Sequence, residues 1–73
     1  MIESKETAEE INKLMLEYGA KLDASVERVQ KTCSDAEFKS YRKAVGIIMG
    51  EMLLNVMNPL YDKHPYLKPK ELS

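Results

Sequence analysis

Four features of this 73-residue chain could carry chemistry: Glu51, Cys33, His64, and the basic trio Lys39, Arg42 and Lys43. Glu51 is the one charge in the otherwise apolar or neutral run 44–57, AVGIIMGEMLLNVM. A carboxylate held in a dry apolar site can exchange protons near neutral pH, and two copies meeting across an axis could share a proton or a cation. The plainer reading puts Glu51 at the edge of a packed seam, reaching solvent. Cys33 comes just before a helix start, where a thiol is more easily ionised. No C-x-x-C, second cysteine or flanking base accompanies it, so a packing role is expected. His64 lies between Lys63 and Pro65, two residues after Asp62. An Asp-x-His pair can contribute to a metal site, but two ligands on a proline-flanked loop hold an ion weakly. A solvated loop histidine is the preferred reading.

Together these features form no constellation for catalysis, and the chain is expected not to be an enzyme. One cysteine and one histidine exclude an internal disulfide and a four-ligand zinc site of the usual N/S type within one chain. The Glu-x-x-His signature of di-iron bundles is absent. No metal and no cofactor are expected. The basic trio lacks a helix-turn-helix signature or interleaved aromatics, and the formal charge is −1, which argues against nucleic acid.

Helices must position these residues. Ala8, Ile11, Met15, Tyr18, Leu22, Ser25, Val29 and Thr32 follow alternating spacings of three and four, one face of a helix over about residues 5–32. Leu14, Val26 and Cys33 widen that stripe, while Glu9, Lys13, Glu17 and Lys21 mark a solvated side. Ser4, or Thr7 with Glu10, supplies the N-terminal cap. Ser34 with Glu37 forms an S-x-x-E capping box, and Cys33 with Phe38 suits a hydrophobic staple. A second helix is therefore expected over about 35–57, with a seam of Phe38, Tyr41, Val45, Ile48, Met52 and Asn55 or Val56. Pro59 should end it near Asn58, or else occupy the first position of a new short turn.

The fold class that follows is all-α: an antiparallel two-helix hairpin. Residues 1–58 form the hairpin, and 59–73 form a C-terminal extension, a short turn or a tail packed on it. A one- or two-residue connection makes paired positions sum to about 67, which sets Leu22 on Val45, Tyr18 on Ile48, Met15 on Met52 and Asn12 on Asn55.

The first helix cannot cover all of the second. Ile47, Met49, Leu53, Leu54 and Met57 lie off the seam, and leaving five such side chains in water forgoes on the order of 10 kcal/mol. Domains are typically no more stable than that. Gly46 and Gly50 make a G-x-x-x-G pair in the same segment, a notch that admits another backbone. The expectation is a homodimer, possibly a higher assembly, in which the second helices are the centre of a four-helix bundle. Its interface would comprise Gly46, Ile47, Met49, Gly50, Leu53, Leu54 and Met57.

Charge divides unevenly. Residues 1–37 hold nine acidic and five basic side chains, and 38–73 hold three acidic and six basic. The basic tail is expected to return to the acidic start of the first helix. The start, MIESKETAEE, lacks a signal-peptide pattern. The 14-residue apolar run is short of the ~20 needed to cross a bilayer. A cytoplasmic setting without a membrane partner is the default. The function expected is non-catalytic: an obligate homodimer that binds another protein. The alternative is a small ligand- or metal-binding bundle using Glu51 and His64 from both chains.

Overall fold

The computed structural model describes residues 1–70; the last three residues of the expected tail lie outside the described part. Two helices run antiparallel: α1, Lys5–Thr32, and α2, Asp35–Met52, joined by Cys33 and Ser34. The chain then makes one π-helical turn, Leu53–Met57, and continues into α3, Asn58–Lys63, and a 3-10 turn, Pro65–Leu67. A 28-residue helix is about 42 Å long, and the molecule extends 44 × 19 × 16 Å, so α1 sets its length.

Both expected helix starts form for the expected reason. Ser4 Oγ accepts from the Thr7 N–H at 3.2 Å. Ser34 Oγ accepts from the Glu37 N–H at 3.2 Å, while Glu37 Oε1 accepts from the Ser34 N–H at 2.9 Å, a closed capping box. The hairpin register also agrees with the sequence estimate. Ser25 Oγ lies 2.7 Å from the Tyr41 hydroxyl. Since the single Ser25 proton goes to the Leu22 carbonyl at 2.6 Å, Tyr41 is the donor. Gly19 faces Met49, whose Cε lies 3.9 Å from where a Gly19 Cβ would stand.

Three details of the seam differ from expectation. Tyr18 and Ile48, expected to pair, are 50% and 48% exposed. Their places inside are taken by Gly19 and Met49, one residue further along each helix. A glycine opposite a long flexible methionine lets the two helices approach where a tyrosine would wedge them apart. Cys33 is exposed rather than tucked under Phe38.

The second helix does not stop at Asn58. The Asn58 N–H bonds to the Leu53 carbonyl, five residues back. That wide turn opens the coil just upstream of Pro59, whose ring would otherwise press on the carbonyl four residues before it. Pro59 then falls in the first turn of α3, where no N–H is required. The turn also corrects a phase error. Val45, Met49, Met52 and Val56 recur on one row, and Met57, Leu60, Tyr61 and His64 on another, one residue out of step. The extra residue held in the wide turn brings both rows onto the side of α1.

The core sits at this closed end. Ala8, Met57, Leu60, Tyr61 and His64 are buried, and in the rest of the described hairpin only Val45 is. The molecule is thick where α3 and the 3-10 turn fold onto the start of α1. Towards the 33–34 connection it thins to two helices.

Candidate functional site: an uncovered face of the second helix

The closed end is held by specific polar contacts. Tyr61 donates its hydroxyl to Asn12 Oδ1 at 2.6 Å, and Asn12 Nδ2 donates to the Leu67 carbonyl at 3.4 Å. Asn12 therefore ties α3 and the 3-10 turn to α1, rather than meeting Asn55 as the register estimate implied. Burial pushes the Tyr61 hydroxyl above its ordinary pKa.

His64 is 8% exposed, not solvated. Its Nε2 lies 2.6 Å from the Ile2 carbonyl. A carbonyl only accepts, so Nε2 carries the proton. The ring meets Tyr66 edge to face at 5.9 Å. Lys63 Nζ reaches Glu3 Oε1 at 3.3 Å, and Lys5 Nζ stands 5.2 Å over the Tyr66 ring. Of the basic residues expected to return to the acidic N-terminus, Lys63 thus does so, at Glu3. His64 and Lys63 have structural work here, securing the first residues of the chain to α3.

Glu51 has different surroundings. It is exposed on α2, away from α1. The two polar candidates are not brought together within the chain, and among the described residues no group of three or more His, Cys, Asp or Glu side chains could hold a metal.

What the fold leaves uncovered is apolar. Ile47 is 56% exposed, Ile48 48% and Leu54 65%. Gly46 and Gly50 have no neighbour within 4 Å of the position a Cβ would take; Gly46 is exposed, and Gly50 is half-buried at the lip of the groove beside this helix. Beside this face runs an open groove of about 500 Å³ between α1 and α2. Met49, Met52 and Leu53 line one wall, Met15, Leu16 and Ala20 the other, and Asp23 is the one charged residue on it. Of the seven interface positions read from sequence, Met57 is buried by its own chain, because the wide turn rotates it inward. Met49 and Leu53 are half-buried in the groove. The remaining four, Gly46, Ile47, Gly50 and Leu54, lie on the outer side of α2 or at the lip of the groove.

One further property emerges only from the continuous helix. Residues 35–63 form a 29-residue helical segment containing an 18-residue window of mean hydropathy 1.2, of which 22% is buried. By length and composition that segment could cross a bilayer. The shortness of the 14-residue run does not count against the whole helix.

Compared with known proteins, the chain matches no family model, no curated protein and no solved structure.

Proposed function

We propose that this chain is a non-catalytic interaction protein that works as a homodimer and presents its remaining apolar surface to another protein. The observation that carries this reading is the exposure of Ile47, Ile48 and Leu54 on one helix of a chain with so small a closed core. Covering a large apolar side chain stabilises by about 1.5–3 kcal/mol, and this helix has three largely in water together with an exposed glycine, Gly46. Self-association is favoured over capture of a partner alone because the helix is the same on every copy, and a two-fold arrangement covers both at once. The methionine-lined groove beside it is the surface left for a second protein, since unbranched thioether side chains adapt to varied partners.

Sedimentation over a concentration series tests the first half. A dimer that dissociates only at low concentration is expected, and a compact folded monomer at micromolar concentration overturns it. A second reading has its own support in the 29-residue helix, namely that a bilayer covers α2. Flotation with phosphatidylcholine–phosphatidylglycerol vesicles separates the two: the dimer reading expects the protein to stay with the aqueous fraction. Glu51 and His64 as a shared ligand site across two copies is the remaining alternative. Native mass spectrometry of metal-free protein would detect the added mass that it requires.

A further inference from the structure

We infer that two copies pack through the outer faces of α2 antiparallel, with Ile47 on the two-fold axis; this rests on the dimer reading above and specifies its geometry. Lys43, Ile47 and Glu51 are spaced four residues apart, so they form one row on the helix, with Leu54 alongside. All four are exposed, on the side turned away from α1. Lys43 and Glu51 are the only charges between residues 43 and 57. Among the described residues neither takes part in an ion pair.

Their placement decides direction. They stand equally far before and after Ile47, about 6 Å along the axis each way. In a parallel pair, Lys43 would face Lys43 and Glu51 would face Glu51, so like charges meet twice. In an antiparallel pair turned about Ile47, each Lys43 faces the Glu51 of the other copy, and opposite charges meet twice. Side-chain size agrees with the same axis. Leu54 comes opposite Ser40 at each end, a large residue against a small one, and the small Ala44 and Gly50 flank Ile47 between them. No atom of the chain stands within 4 Å of where a Gly50 Cβ would be, which leaves room for the close approach this needs. The two α1 helices then lie outside, giving a four-helix layer with the groove open at each end.

Charge reversal tests the direction in the full-length protein. Lys43→Glu and Glu51→Lys should each weaken the dimer roughly tenfold in sedimentation equilibrium, and the double reversal should restore it. In a parallel dimer each reversal exchanges one like-charge pair for another, and Kd stays unchanged. Disulfide trapping in a Cys33→Ser background gives an independent readout. Ile47→Cys should link to itself and Lys43→Cys should link to Glu51→Cys, while Leu54→Cys should not link to itself. Circular dichroism establishes that each variant is folded. A dimer insensitive to the single reversals, or self-linked through Leu54→Cys, overturns the antiparallel geometry and leaves the dimer reading standing. A wild-type monomer overturns both.

Discussion

At the scale of single residues, the most consequential side chains are those that fasten the closed end. Leu60 is fully buried, and Leu60→Ala should cost about 2–5 kcal/mol, enough to unfold much of a domain this small. Urea denaturation followed by circular dichroism would measure it. Tyr61→Phe keeps the ring but removes the bond to Asn12, so a loss of about 1 kcal/mol is expected in the same assay. Tyr61 also gives the fold an alkaline limit. Its hydroxyl is held above the ordinary value of 10.0, so the folded state favours the neutral form. That contribution is complete below pH 10 and disappears as pH rises through the folded value, and Tyr61→Phe should flatten this limb of the stability profile. Glu37 acts in the opposite sense. Its bonds from the Ser34 backbone and then the Ser34 side chain hold its carboxyl below the usual 4.5. Its contribution is present above that value and is lost as pH falls through the lower folded one. Ser34→Ala keeps the larger, backbone bond, so it should weaken this acid dependence without abolishing it, and loss of the cap should cost about 1 kcal/mol.

At the scale of elements, the hairpin was legible because each of its signals is local. A Ser and a Glu three apart close a box wherever they stand, and a 28-residue helix with one apolar stripe has a single way to lie against its neighbour. The closed end was not legible, because its signals are not local. His64 is buried by a carbonyl 62 residues away in the chain, and no spacing near His64 announces that partner. Tyr61 and Asn12 are 49 residues apart. Pro59 reads either as a stop or as the first position of a new short turn; the second holds, and what decides it is a one-residue slip in the apolar pattern between Val56 and Met57. That slip is present in the sequence, and a search for two apolar rows out of step would have found it. At Gly19 the seam can be tested directly. A Cβ there meets only Met49 Cε at 3.9 Å, an ordinary contact, so Gly19→Ala should raise helix stability by about 0.5–1 kcal/mol in a thermal melt.

For the whole molecule, the unequal ends matter most. The closed end has buried apolar and hydrogen-bonded side chains, whereas the end near residues 33–34 has two helices and half-buried seam residues. Amide hydrogen exchange should therefore be slowest around Ala8 and Leu60 and fastest beside the connection. Gly46→Ala separates the chain's own stability from its assembly. Within one chain a methyl there touches nothing, so the isolated fold should gain from the better helix former. If Gly46 belongs to the notch that admits a second copy, the same methyl fills that notch, so sedimentation should show weaker association. A variant that gains in both measurements would count against Gly46 lying in an interface.

The wide turn at residues 53–57 also governs which changes of length the chain tolerates. Asn55 is exposed, and a substitution there should pass unnoticed. Deleting it should be tolerated in phase as well. The loss would convert the wide turn to an ordinary spiral, in which Met57, Leu60, Tyr61 and His64 fall in step with Val45, Met49 and Met52. Leu60 and Tyr61 would still face α1, and the cost would be the Pro59 ring pressing on the carbonyl four residues before it. A residue added just after Met57 has no such slack, and it would swing Leu60 and Tyr61 away from α1 by roughly 100°.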